Sequence, residues 1–196
     1  LGWEVWLDGQ EITQFTYFQQ AGGMPTNPVS VEITYGLERI AMPLQRVRNF
    51  RNIAWNGART YGDLNLMGEF EHSKYYFEIA GVDSLREMFR LFEAEAETAL
   101  ANGLVLPAHD YVLKCSHTFN VLDTRGAIGV TERAAFFARM RDMSRRVAET
   151  YLAQREQLGF PWLQSAEPTA AEVTATTSPD GAAAQAAPAE LLVEIG

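Results

Sequence analysis

The sequence predicts an α+β fold, a short antiparallel sheet followed by a bundle of helices, on three observations. Two runs rich in aromatic and β-branched residues, Trp3 to Leu7 and Glu11 to Gln19, flank Asp8-Gly9, the strongest short-range hairpin signal a sequence offers. Val31 to Thr34 suit a further extended segment, and directly after it Leu37, Ile40, Ala41 and Leu44 fall on one face at helical spacing. From Ser73 to Leu158 the apolar residues recur with the helical period.

Taken in order, the second strand places Glu11, Thr13, Phe15, Tyr17 and Gln19 on one face and Ile12, Gln14, Thr16, Phe18 and Gln20 on the other. Neither face is cleanly apolar. A central strand of this kind is expected to have its polar groups paired, since each buried and unsatisfied one costs roughly 1–3 kcal/mol, and a ligand would pair them. Gly22-Gly23, Pro25, Asn27 and Pro28 predict a loop. In the helix that follows, Pro43 predicts a kink or an early end near Met42. Arg46 to Gly68 reads as irregular, with Trp55, Asn56-Gly57 and Tyr61-Gly62 as turn material.

Four helical stretches complete the ordered part. Ser73 to Ala80 predicts a short helix, and Ser84 to Ala101 a longer one. In the latter Ser84 and Glu87 have capping-box spacing, and Leu85, Met88, Phe89, Phe92, Ala96 and Leu100 form a stripe. Asn102-Gly103 ends it, and Pro107 suits the first turn of a helix reaching Val121 or Leu122. Thr131 to Leu158 carries Phe137, Met140, Val147, Tyr151 and Leu152, with Gly159 and Pro161 closing it. The expected division is 1–68 for the sheet part and 69–163 for the helical part. A flexible linker of Ala, Thr, Pro, Ser and Glu composition follows over 164–189, then a strand-like 190–196.

With 196 residues, 47% of them hydrophobic, the chain can bury a core for one or two domains. No apolar run approaches the roughly 20 residues of a membrane span, and the start lacks the layout of a signal peptide. The lone Cys115 cannot form an internal disulfide, so the expected setting is reducing and cytoplasmic. A net charge of −9 argues against non-specific nucleic-acid binding. Leu1 opens straight into a strand-like pattern, and the expectation is a piece of a longer protein.

The chemistry gathers around Val31 to Gln45. Gly36 sits at the strand-to-helix joint, where it permits a turn or the close approach of a flat ligand, and the helix beginning there offers free N–H groups to an anion. Arg39, in the first turn, has the wrong sign for the helix dipole and reaches outward to a negative or π-rich partner; the alternative is a solvated arginine. Histidines 72, 109 and 117 have no metal-ligand spacing.

Glu32, Ile33, Thr34, Tyr35, Gly36, Leu37, Glu38 and Arg39 resemble motif 3 of the class II aminoacyl-tRNA synthetases. More narrowly, GWEVWLDGQEITQFTYFQQAGG, EITYGLERIAM and LPAHDYVLKCSHTFNVLDTRGAIGVTER, in that order, resemble the α subunit of the bacterial two-subunit glycyl-tRNA synthetase from Leu1 to about Leu163. The resemblance implies a partial class II antiparallel sheet, with motifs 1 and 2 in a preceding portion, and ATP-dependent joining of glycine to its tRNA. ATP and Mg2+ are the implied cofactors. The implied partners are glycine, tRNA read mostly through a β-type region, a β subunit or fused β region, and a second α chain; no membrane is implied.

By the same resemblance Arg39 stacks on adenine and touches the γ-phosphate beside Gly36. Glu11 and Glu4, flanking the Asp8-Gly9 turn, resemble the acidic pair that holds magnesium on ATP. Glu32 pairs the ammonium of glycine, with Thr34 beside it. Gln14 and Thr16 are the next substrate-binding candidates, and Phe18 or Tyr17 narrows the pocket; hydrogen bonding within the sheet is the alternative for Gln14 and Thr16. The final ELLVEIG resembles the opening of the β subunit and implies an α–β fusion. A competing reading is a class II-like module without catalysis, serving in amino-acid sensing or assembly.

Overall fold

The computed structural model describes residues 2–164. The linker expected after Gln164 and the strand-like end at 190–196 lie outside the described residues. A three-stranded antiparallel sheet comes first, in the order β1-β2-β3, from Gly2–Leu7 (β1), Gln10–Ala21 (β2) and Met24–Tyr35 (β3). Both connections are two-residue turns. Asp8 and Gly9 have φ of 49° and 78°, and Gly22 and Gly23 have φ of 57° and 77°. Paired left-handed residues suit hairpins because their twist matches that of the flanking strands.

The loop expected from Gly22 to Pro28 is therefore a turn of two residues, after which β3 runs through Pro25 and Pro28. Proline is tolerated there because β3 is an edge strand and because its register with β2 slips between Phe18 and Gln20, where residues 26–29 have no ladder partner. The ligand expected to satisfy polar groups on β2 is also not required. Among the described residues no buried side-chain N or O lacks a partner, and Thr13 is the one buried residue of β2. The other polar side chains stand on an open sheet, where water satisfies them.

Helix α1, Leu37–Leu44, holds Pro43 in its last turn and stops one residue later. Its end is a Schellman motif: Arg46 N–H donates to Pro43 O at 3.1 Å and Val47 N–H to Met42 O at 3.0 Å. The left-handed position of that motif is usually glycine; here it is Arg46, at φ 55°. An L side chain in that backbone costs roughly 1 kcal/mol.

The segment expected to be irregular is built. A 3-10 turn at Phe50–Asn52 leads into a small antiparallel pair, Ala54–Asn56 (β4) and Arg59–Thr60 (β5), and then into α2, Tyr61–Lys74. Thr60 and Asp63 form a reciprocal cap: Asp63 N–H donates to Thr60 Oγ1 at 3.2 Å and Thr60 N–H to Asp63 Oδ2 at 2.8 Å. The helix expected from Ser73 is thus the end of α2 and a π-helical turn, Tyr75–Ile79.

Three long helices follow: α3 (Val82–Ala101), α4 (Val105–Thr124) and α5 (Val130–Gln157), with a last turn α6 at Pro161–Gln164. Helix α3 begins two residues before Ser84, with Gly81 as its cap, so the Ser84/Glu87 capping box does not form. Glu87 instead accepts from Arg90. The core is Leu85, Phe89, Ala96 and Ala99 from α3, seven residues of α4 around Cys115 and Phe119, and Phe136, Met140, Met143 and Val147 from α5. Of the apolar residues noted on this helix, Met140 and Val147 are buried, while Phe137, Tyr151 and Leu152 stay partly exposed.

Outside that core, Arg86 pairs with Glu132, Arg139 with Glu93 and Arg146 with Glu97. The α5 members recur every seven residues, two turns of helix, so the pairs line one seam between parallel α3 and α5. Burial pushes the Cys115 thiol up to about 11, so it packs as an apolar group. No helix of the described residues is long and apolar enough to cross a membrane.

The sheet meets the bundle at the β2–β3 tip. A Cβ on Gly22 would lie 2.7 Å from Ala148 Cβ and 2.9 Å from Ser144 O, so only glycine lets the turn sit against α5.

Candidate active site

Strand register gathers most of the predicted residues. Glu4 pairs with Gln14 and Gln14 with Thr34, giving one rung across all three strands. Gly2 pairs with Thr16 and Thr16 with Glu32, giving the next rung. Opposed residues of an antiparallel sheet share a face, so Glu4, Gln14, Thr34, Thr16 and Glu32 form one polar patch. Thr34 Oγ1 donates to Glu32 Oε1 at 3.0 Å, which turns the carboxylate along the strand and leaves its second oxygen unengaged by that bond.

A concavity of about 480 Å³ lies beside this patch, lined by Gly2, Trp3, Glu4, Trp6, Gln14, Phe15 and Thr16. Trp6 was missed by sequence reasoning: its indole N–H donates to Glu4 Oε2 at 2.9 Å. The i, i+2 spacing of Glu4 and Trp6 on a strand was the available signal. Of the two aromatic residues expected to narrow the pocket, Tyr17 belongs to the opposite face. Its ring meets Trp3 edge-on at 5.0 Å, whereas Phe18 alternates with it and shares the face of Gln14 and Thr16.

Glu11 and Arg39 form a second group. The β1–β2 register slips by one residue between Val5 and Trp6, so that Glu11 stands opposite Trp6 rather than continuing the alternation from Thr13. Arg39 reaches back from α1 to donate to the Glu11 carbonyl at 3.0 Å, with Glu11 Oε2 at 3.6 Å. The structure therefore brings Glu11 to Arg39 and Glu4 to Trp6. Among the described residues no hydrogen bond or ion pair links the two carboxylates through a common partner.

Gly36 has φ −79°, which any residue can adopt, so the turn itself does not demand glycine. A Cβ on Gly36 would stand 3.2 Å from Arg39 Cδ and 3.4 Å from Ile12 O, a tight fit that a small shift of the flexible Arg39 side chain relieves. Gly36 N–H donates to Ile12 O at 2.8 Å, extending the sheet ladder to the helix start.

Helix α1 has no buried residue, so polar tethers fix it. Tyr61 O–H donates to Glu38 Oε1 at 2.7 Å. At the other end Gln45 accepts from Ala54 N–H at 2.6 Å and donates to Ala54 O at 3.2 Å. The Tyr61 hydrogen bond holds the Glu38 carboxyl below its usual range, and Glu38 in turn raises the Tyr61 phenol. Tyr61 and Gln45 were also missed, because their contacts with Glu38 and Ala54 join separate elements and no local pattern signals them.

Magnesium takes oxygen ligands and commonly rests on one or two carboxylates plus substrate phosphates. Glu4 and Glu11 are carboxylates of that kind, half-buried at the rim of the sheet, so the donor set fits such an ion carried by ATP. Among the described residues no group of three or more His, Cys, Asp or Glu could cage a metal alone.

A sheet that sets out hydrogen-bonding side chains in rows, with an arginine delivered from the adjoining helix, suits a polar substrate carrying both charges and an anionic co-substrate. Comparison with protein families makes that specific. The family model described as glycyl-tRNA synthetase alpha subunit matches residues 1–156, which puts the chain among the aminoacyl-tRNA synthetases, a class of ligases. The chain belongs to the glycyl-tRNA synthetase alpha subunit family.

Proposed function

We propose that this chain, together with a beta subunit, joins glycine to its tRNA in two steps at the sheet. In the first, a glycine carboxylate oxygen attacks the α-phosphorus of ATP, the bond to the β-phosphate breaks, and pyrophosphate leaves with glycyl adenylate formed. In the second, a ribose hydroxyl at the tRNA end attacks the glycyl carbonyl and AMP leaves. Such transfers need positioning and charge stabilisation more than a protein nucleophile.

The observation that carries this reading is the rung pairing of Thr16 with Glu32 and Gln14 with Thr34. It sets one carboxylate and three neutral hydrogen-bonding groups side by side. Glu32, steadied by Thr34, receives the glycine ammonium, while Gln14 and Thr16 bond the remaining polar atoms and Phe18 limits the space for a side chain. Arg39, whose guanidinium is half exposed, exchanges its Glu11 contact for adenine and the γ-phosphate, in the manner of a class II motif 3 arginine. Glu11, released from Arg39, and Glu4 would hold the magnesium that accompanies ATP, which would supply charge neutralisation on the phosphates. Residues 1–68 do this work, 69–163 support them, and a second copy of the chain completes a dimer.

Glycine-dependent exchange of pyrophosphate into ATP, measured with the chain and its beta subunit, tests the reading. Exchange that requires glycine and is lost in Glu32→Gln at ordinary glycine concentration supports it. Exchange indifferent to that substitution refutes the assignment of the patch.

A further inference from the structure

Between Glu38 and Asp63 the sequence holds five arginines, Arg39, Arg46, Arg48, Arg51 and Arg59, and no acidic residue, in a chain whose net charge is −9. Most arginines of the bundle are spent differently, while Arg125 donates to backbone carbonyls and Arg141 and Arg155 lie against aromatic rings. Arg86, Arg133, Arg139 and Arg146 pair with acids across helices, and Arg90 and Arg145 pair along their own. Among the described residues Arg46, Arg48 and Arg51 form no ion pair with an acid, and all three are exposed. Arg59 is exposed as well, and its charge is felt by Asp63.

The segment that carries them is folded tightly beside the candidate site. Gln45 is tied to Ala54 by two hydrogen bonds, and the rings of Phe50 and Trp55 each stand 6.1 Å from Tyr61. A Cβ on Gly62 would meet Arg51 O at 2.9 Å, so the 3-10 turn and the start of α2 are in close contact. Arg48 and Arg39 line one cleft with Asp8, Gln10 and Pro43. Trp55 is 61% exposed and Phe50 38%, so exposed aromatic side chains fall among the arginines along this segment. Arg46 adds a different observation. It occupies the left-handed position of the Schellman motif, where glycine is the relaxed choice and arginine brings strain while its guanidinium has no hydrogen-bond or ion-pair partner among the described residues.

We infer that residues 46–59 form an arginine and aromatic surface that receives the single-stranded acceptor end of tRNA as it enters the site beside Arg39. Guanidinium groups neutralise backbone phosphates, and exposed rings stack on unpaired bases. The overall negative charge does not prevent this, because screening over about 8–10 Å at physiological salt lets the local cluster govern a strand lying on it. The inference rests on the proposed function, since a tRNA end must reach the adenylate for the second step.

The test uses the chain with its beta subunit and the double variant Arg46→Gly/Arg51→Gln. Three quantities are read: glycine-dependent pyrophosphate exchange, KM for tRNA in aminoacylation, and direct binding of end-labelled tRNA across a salt series. The expected result is exchange within twofold of the parent, KM for tRNA raised about tenfold, and a salt slope shallower by roughly 1–2. In the single variant Arg46→Gly the melting temperature rises while tRNA binding weakens, which no loss of folding can produce. Unchanged tRNA KM and salt slope overturn the inference, as does a parallel loss of exchange and aminoacylation. If the parent itself shows no glycine-dependent exchange, the proposed function fails, and the binding series alone then decides whether this surface takes RNA.

Discussion

The Tyr61 hydroxyl donates to Glu38 at 2.7 Å, so the residue that opens α2 holds the residue immediately before Arg39. Helix α1 has no fully buried residue, with Ile40, Ala41 and Met42 half-buried, and a contact of this kind helps decide where its arginine points. Tyr61→Phe keeps the ring contacts with Phe50 and Trp55 and removes only the hydroxyl. The expected outcome is a KM for ATP raised by less than about tenfold, with KM for glycine unchanged, because Gln45 and Gly36 still tether the helix. Steady-state pyrophosphate exchange with each substrate varied checks this. A glycine effect as large as the ATP effect contradicts it.

Gly22 and Gly23 give a matched comparison. Both have left-handed backbone, yet a Cβ on Gly22 would strike Ala148 and Ser144, while nothing lies within 4 Å of one on Gly23. Gly23→Ala should cost about 1 kcal/mol, from conformation alone. Gly22→Ala adds overpacking and should cost about 1–3 kcal/mol more. Thermal unfolding of the two variants measures the difference; equal melting temperatures would mean that the sheet tip does not bear on α5.

Acid should weaken the seam between α3 and α5. The hydrogen bond from Arg86 holds the Glu132 carboxyl below its ordinary range, so the unfolded chain binds more protons than the folded one as pH falls. That contribution is present above the ordinary carboxylate pKa and is lost as pH falls through the lowered one. Melting temperature measured between pH 6 and pH 3 should therefore decline, and decline less steeply in Glu132→Gln, which has already lost the titrating group. Parallel curves for parent and variant would remove Glu132 from the acid response.

Sequence reading went furthest where one residue sets the backbone or one period sets a face. Asp8-Gly9 gave the first hairpin, and Glu32-x-Thr34 gave two side chains on one side of a strand, now joined by a hydrogen bond. Gly103 closed α3 where expected, with φ 68°. What escaped depends on neighbours that the chain order does not show. Pro25 and Pro28 read as loop because a proline forbids a central strand, whereas the position of β3 at the sheet edge and the slip in its register with β2 make room for them. The slip that sets Glu11 opposite Trp6 is a property of two strands together, so alternation along β2 alone misplaced it. The arginines from 46 to 59 were visible as residues, but averaging charge over the whole chain hid them.

The central claim is a division of labour, with Glu32 serving glycine and Arg39 serving ATP. Glu32→Gln preserves shape and removes the charge that would face an ammonium, so KM for glycine should rise roughly ten- to a hundredfold with KM for ATP within twofold. Arg39→Ala should do the reverse, raising KM for ATP or depressing kcat by a similar factor. Both variants carried through glycine-dependent pyrophosphate exchange, with each substrate titrated against saturating amounts of the other, give the most direct measurement. The account predicts that each mutation moves mainly one substrate; ATP kinetics altered and glycine kinetics untouched in Glu32→Gln would contradict it.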